Sequence, residues 1–266
     1  MAFKMITATE GAAMVADGDT IAFSGFTPNG VSKAVARELS KRAIREHEAG
    51  NSFAIGMITG ASSCQSLEGD FANANALKFR APFSTNKDFR THTNLGEIEY
   101  EDMHLGHVAE RLRRGFYGKI NWAFIEVSSI EEVGGKYHVT LTSAGGIVPT
   151  IVRLADKIII ELNHFHSSES YKLHDVYECK EYPNREPIPI WNLSDHVGKP
   201  YVEIAPAKVV GIVDTNIPEE ARAFRAVDDS TRAIGQSVVD FLLKDQKTGH
   251  IPADFFPIQS GVGAIG

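Results

Sequence analysis

Short apolar runs alternate with helical stretches along most of this chain, and several runs end in a small, hydroxylated, glycine-bearing loop. Residues 20–23 read as a strand that runs into Ser24-Gly-Phe-Thr-Pro-Asn-Gly30, followed by a helix over residues 32–48 with Val35, Leu39 and Ala43 along one face. Residues 53–58 read as a strand ending in Thr59-Gly-Ala-Ser-Ser63. Residues 122–127 form an apolar strand, and Val133-Gly-Gly-Lys136 reads as a hairpin turn before a strand over residues 137–142. Ser143-Ala-Gly-Gly146 then leads to Pro149, which suits the first turn of a helix through Leu154. Further strands are expected at residues 157–162 and 208–214. Such alternation predicts an α/β fold, a largely parallel sheet flanked by helices.

Around this frame, Thr7-Ala-Thr-Glu10 fits a capping box that opens a first helix. Residues 230–244 read as an amphipathic helix with Ile234, Val238, Phe241 and Leu242 on one face. Residues 163–200 are irregular and rich in His, Pro and Asn, and residues 217–224 read as a connector. A net charge of −7 argues against a general nucleic-acid binder, whose affinity would rest on a basic face. The start lacks the apolar segment of a signal peptide, and no apolar run is long enough to span a bilayer. Cys64 and Cys179 have no CxxC partner, which fits a reduced, cytoplasmic protein.

The three glycine-bearing loops are candidates for one binding pocket. Glycine lets a backbone approach a ligand, helix starts present free N–H groups, and ligands collect beyond the carboxyl ends of strands in open α/β sheets. The candidate residues are Ser24, Gly25, Phe26, Thr27, Pro28, Thr59, Gly60 and Ser143. The competing reading is that any tight strand-to-helix turn favours Gly, Ser and Thr.

Other motifs carry less. Gly261-Val-Gly-Ala-Ile-Gly266 matches G-x-G-x-x-G, yet the acidic residue and following helix of a dinucleotide site are not in view. His164, His166 and His174, near Glu169 and Asp175, could be metal ligands, but no recognisable ligand spacing supports a metal. Asp102, His104 and His107 read as packing and hydrogen-bonding residues. Glu126 and Glu161 each end an apolar strand, where a partly desolvated carboxylate could act as base or nucleophile. The alternative is a strand-end acid satisfied by backbone donors or a neighbouring cation. Cys64 reads as a small buried residue.

Taken in order, several segments resemble the acetyl-CoA hydrolase/transferase family, the family I coenzyme A transferases. These are Ser24-Gly-Phe-Thr-Pro-Asn-Gly30 with Lys33-Ala-Val35, Thr59-Gly-Ala-Ser62, Asp102-Met-His-Leu-Gly-His107-Val and Arg153-Leu-Ala-Asp-Lys157. Glu161-Leu-Asn-His-Phe-His166, His174-Asp175, Pro183-Asn-Arg185, Arg222–Phe224 and Pro257-Ile-Gln-Ser-Gly-Val-Gly263 follow. The succinyl-CoA:acetate type is the nearest in character. The resemblance implies two similar coenzyme A transferase-type α/β domains, often in a homodimer, with residues 1–218 as the first and 219–266 as linker and start of the second. It implies acyl-CoA and a short carboxylate as substrates, no metal, and a glutamyl-CoA thioester formed by way of a mixed anhydride. The family's catalytic glutamate lies past the Gln-Ser-Gly-Val-Gly loop, so it is expected beyond Gly266, and these residues read as the front part of a larger enzyme. Gly261, Val262, Gly263, Ala264 and Ile265 carry over as coenzyme A contacts, although the family usually has Asn at the position of Ala264. Hydrolysis of acetyl-CoA and a non-catalytic coenzyme A-binding domain, or a subunit of a split transferase, are the alternatives.

Overall fold

The computed structural model describes residues 3–220, 226–256, 258–261 and 265. It divides into two compact units, Met1–Glu220 and Ala221–Gly266.

In the first unit the expected α/β architecture is present. Strands β1 (Thr20–Phe23), β2 (Ile55–Thr59), β3 (Leu77–Ala81), β4 (Glu99–Tyr100), β5 (Trp122–Val133), β6 (Lys136–Leu141), β7 (Lys157–Asn163), β8 (Val202–Ile204) and β9 (Val209–Thr215) form one sheet. Seven of them run parallel in the order β4-β3-β2-β1-β5-β7-β9. The far half of β5 instead pairs antiparallel with β6, which pairs antiparallel with β8. The β5–β6 connection is the expected two-glycine hairpin, with φ of 57° at Gly134 and 75° at Gly135.

Alternation along the strands divides the apolar residues between two faces. Ile21, Phe23, Met57, Trp122, Phe124 and Ile159 join one core, under α1 (Ala8–Ala13) and α2 (Ala34–Glu48). Ala22, Ile58, Ala123, Ile125, Ile158 and Ile160 join the other, with Val108 and Leu112 of α5 (Leu105–Arg113) and Ile151 of α6 (Val148–Leu154). Thr7 caps α1 in the expected capping box with Glu10.

Three features depart from the sequence reading. A π-helical turn (Gln65–Gly69), α3 (Asp70–Asn73) and α4 (Lys87–Asn94) lie between β2 and β4. β3 carries Arg80, which breaks the apolar pattern and is nonetheless fully buried, its charge met by Glu68 at 2.5 Å. β8 is a three-residue strand at the end of a long irregular segment, too short to show a period.

In the second unit, α7 (Asp229–Lys247) starts at an Asp228 cap. None of its described residues is buried, and Ile234, Val238 and Phe241 of the predicted apolar face are exposed.

Candidate functional site

The strand order reverses direction between β1 and β5: from β1 the chain proceeds outward through β2, β3 and β4, then returns to build β5, β7 and β9 on the other side. Such a switch point separates the loops that leave neighbouring strands and opens a crevice beyond their carboxyl ends. The three glycine-bearing loops meet there.

Their backbones interlock. Ser24 Oγ donates to Gly30 O at 2.7 Å and accepts from Glu126 N–H at 2.9 Å, tying the loop after β1 to itself and to β5. Ser62 Oγ donates to Ser24 O, and Thr27 exchanges backbone hydrogen bonds with Ala61 and Ser63. Gly25 has φ of +106°, and a Cβ there would stand 2.6 Å from Val31 and 2.8 Å from Asn29 O. A Cβ on Gly146 would lie 2.4 Å from Gly25 O, so the first and third loops touch through backbone. Of the sequence candidates, Ser24, Gly25, Thr59 and Gly60 are buried in this junction, while Phe26, Thr27 and Ser143 are exposed and Pro28 is half-buried.

Beneath the loops, Glu126 and Glu161 do not end their strands as expected but lie within β5 and β7, whose pairing continues past them, as register partners on adjacent parallel strands. Two buried carboxylates side by side need separate compensation, and the start of α2 supplies both. Glu161 accepts from Ser32 Oγ (2.7 Å) and from the backbone N–H groups of Lys33 (2.8 Å), Ala34 (3.0 Å) and Val35 (2.8 Å). It therefore caps α2 from another strand, replacing the side-chain cap that Lys33 cannot give. The lysine side chain turns to the second acid: Lys33 Nζ lies 2.7 Å from Glu126 Oε2, with both side chains fully buried. Asn163 Nδ2 (2.9 Å) and Thr142 Oγ1 (3.1 Å) also donate to Glu126.

Burial pushes the Glu126 carboxyl up to about 7; the Lys33 ammonium opposes the rise, and Glu219 and Glu161 add to it. Burial would lower Lys33, but the adjoining Glu126 and Glu219 carboxylates outweigh it and hold the ammonium above its ordinary value.

A third acid covers the pair. Glu219, at the end of the strap that follows β9, accepts from Ser143 Oγ (2.5 Å), Gly30 N–H (2.8 Å) and Lys33 Nζ (3.1 Å). Asn163 fixes the strap by exchanging hydrogen bonds with Ile217 (2.8 and 3.0 Å). Glu220 accepts from Arg37 (2.6 Å) and from Ser66 N–H (3.1 Å). His166 Nε2 lies 3.2 Å from Glu219 and 3.5 Å from Glu126, yet it is aligned for a hydrogen bond with neither. Burial lowers the pKa of this imidazole, partly offset by Glu219.

The histidines considered together in the sequence separate in space. His164 pairs with Asp214 at 2.5 Å, and His174 Nε2 lies 2.8 Å from Thr142 O. Only His166 reaches the acids: ligand atoms of Glu126, His166 and Glu219 lie within 4.8 Å of one another, with Lys33 already between the carboxylates. Asp102 bonds to Met103 N–H, and the His104 and His107 rings sit edge to face. Cys64 is buried, as expected, and burial with nearby Glu68 raises its pKa. Gly261 and Ile265 are exposed, and Val262, Gly263 and Ala264 lie outside the described residues. A separate cavity of about 680 Å³ is bordered by Pro149, Arg153, Tyr177, Lys199 and Lys208. Its cations are engaged, Lys199 with Glu203 and Arg153 with Glu178 and Glu181, so the chemistry concentrates at the switch point.

Sequence reasoning identified Glu126 and Glu161 but missed Lys33, Asn163, Thr142 and Glu219 as their partners. The available signal was the pair of identical apolar-to-acid steps, Ile125-Glu126 and Ile160-Glu161, which required a cation and a donor set from somewhere else in the fold.

The acetyl-CoA hydrolase/transferase N-terminal domain family matches residues 2–214. The chain is 38% identical to the propanoyl-CoA:succinate CoA transferase of Escherichia coli, over 98% of this chain and 52% of that protein. It is 36% identical to the succinyl-CoA:acetate CoA-transferase of Clostridium kluyveri, over 98% and 48%, and 32% identical to the acetyl-CoA hydrolase of Schizosaccharomyces pombe, over 94% and 48%. It thus spans about half the length of these relatives. The fold is similar to that of RipA from Yersinia pestis, with a TM-score of 0.58 at 15% identity over 89% of this chain and 48% of that one. It is also similar to glutaconate coenzyme A-transferase from Acidaminococcus fermentans, with a TM-score of 0.50 at 13% identity over 92% and 88%. With the family's domain matched over four-fifths of its length, this chain belongs to the acetyl-CoA hydrolase/transferase family.

Proposed function

We propose that this chain forms the N-terminal half of the active site of an acyl-CoA:carboxylate coenzyme A transferase, using succinyl-CoA or acetyl-CoA with acetate, succinate or a related short acid. The observation that carries this reading is the match of the acetyl-CoA hydrolase/transferase N-terminal domain over residues 2–214, and both buried glutamates of the junction are engaged within it. Glu161 has its carboxylate filled by four donors of α2, and Glu126 is buried against Lys33, Asn163 and Thr142. Neither is free to attack a thioester, in keeping with the family resemblance, which implies a nucleophilic glutamate past the Gln-Ser-Gly-Val-Gly loop.

In that reaction the glutamate carboxylate attacks the thioester carbonyl, and coenzyme A leaves as thiolate. The thiolate then attacks the glutamyl carbonyl of the mixed anhydride, releasing the donor acid and leaving glutamyl-CoA; the acceptor acid reverses the sequence. The loops around Ser24–Pro28, Thr59-Gly60 and Ser143 border the acid end, and Gly261–Ile265 contact coenzyme A. Binding energy from the nucleotide orients the distant thioester. A homodimer in the cytoplasm completes the reading. It suits the two free cysteines, and no described helix is long and apolar enough to cross a membrane.

The relatives named as hydrolases support a second reading, in which water discharges the same intermediate. Transfer is preferred because the relatives named as transferases are more similar, at 38% and 36% against 32% and 33%. The complete protein, given succinyl-CoA, should form acetyl-CoA in proportion to added labelled acetate. Free coenzyme A appearing at the same rate without acetate would instead establish hydrolysis.

A further inference from the structure

Glu219 is held by a donor set that its own backbone does not need. The strap is already fixed on both sides, at Ile217 by Asn163 and at Glu220 by Arg37 and Ser66. Between these anchors the Glu219 side chain reaches inward to donors from three other segments: Gly30 N–H of the first loop, Lys33 Nζ at the start of α2, and Ser143 Oγ of the third loop. An ammonium, a backbone amide and a hydroxyl converging on one carboxylate make an anion site assembled from rigid parts. The Glu219 side chain is 13% exposed whereas Lys33 and Glu126 beneath it are wholly buried, so it stands at the mouth. His166 Nε2 is a further polar atom facing the site, buried and without a hydrogen bond, 3.2 Å from Glu219 Oε1, the oxygen that accepts from Gly30 and Ser143. Glu219 thus fills three donors and leaves a fourth group unsatisfied.

We propose that Gly30, Lys33, Ser143 and His166 form a subsite for the carboxylate of a short organic acid, occupied in this structure by the chain's own Glu219 as a displaceable stand-in. Rotation of the Glu219 side chain toward solvent empties it without moving the anchored strap. The identification of the bound acid as the acceptor rests on the transferase reading; the donor set does not. A tethered carboxylate competes at an effective concentration on the order of millimolar, so free acids bind the wild-type chain weakly. Removing the tethered group should reveal the site.

The test uses acetate as probe on the 266-residue chain, with thermal unfolding followed in sodium acetate against sodium chloride at equal ionic strength. In Glu219→Ala, acetate should raise the midpoint saturably, with an apparent affinity at least about tenfold above wild type. Glu219→Gln, which keeps the shape but loses the charge, should fall between them. Adding Ser143→Ala to Glu219→Ala should remove most of the acetate effect. Acetate acting equally on wild type, Glu219→Gln and Glu219→Ala would overturn the proposal. If Glu219→Ala does not fold, the wild-type and Glu219→Gln comparison decides alone, equal affinities being the contrary result. Should the complete protein release coenzyme A without an acceptor, the transferase reading fails while acetate rescue still stands for the subsite.

Discussion

Glu126 and Lys33 show how a buried charge is made tolerable and what that costs. A carboxyl raised from 4.5 to about 7 binds its proton more tightly in the folded than in the unfolded chain. Its contribution to stability is therefore fully present below about pH 4.5 and is lost as pH rises through about 7. At about 1.4 kcal/mol per pKa unit the loss is ~3 kcal/mol. Glu126→Gln should remove this dependence, so the difference between wild-type and variant urea stabilities should change between pH 4.5 and 7.5; a difference flat in pH would contradict the assignment. Lys33→Met deletes the cation but leaves Glu126 and Glu219 facing one another without it. It should cost about 3–5 kcal/mol by the same measurement, well above an exposed lysine. At this scale the sequence was half legible. Glu126 and Glu161 stand out as acids following apolar runs, but the partners they take from Ser32 and Lys33 lie 93 to 129 residues away in the chain, and no local pattern encodes such pairing.

The helix α2 begins without a side-chain cap of its own, because Lys33 occupies the capping position and cannot accept a hydrogen bond. Glu161 supplies the acceptor from β7, coupling the helix start to the sheet. Glu161→Ala should leave three N–H groups and a hydroxyl unpaired in the core, costing about 3 kcal/mol. Amide exchange at residues 33–35 should quicken relative to the middle of the helix. An unchanged exchange rate there would remove Glu161 from this role. Element existence was readable wherever periodicity was strong: α1 from its capping box, the β5–β6 hairpin from Gly134-Gly135, and the buried runs of β5 and β7. β3 was hidden because Lys78 and Arg80 interrupt it, and Arg80 can turn inward only because Glu68, on the π-helical turn, meets it. The three loops are similar in sequence, each small, hydroxylated and glycine-bearing. Their convergence at one point follows from strand order, which local sequence does not specify.

For the molecule as a whole, the reversal of strand order between β1 and β5 determines where chemistry can occur. It gathers the glycine loops, the α2 start and the Glu219 strap into one junction. That junction offers positioning groups, a buried cation and a carboxylate subsite, with Glu126 and Glu161 both committed to structure. On the proposed transferase reading the nucleophile comes from elsewhere. The most direct measurement is peptide mapping of the complete protein, with any partner chain it requires, after reaction with succinyl-CoA. A coenzyme A-sized mass increase is expected on a glutamate outside residues 1–266 and none within them. An adduct on Glu126 or Glu161 would contradict it.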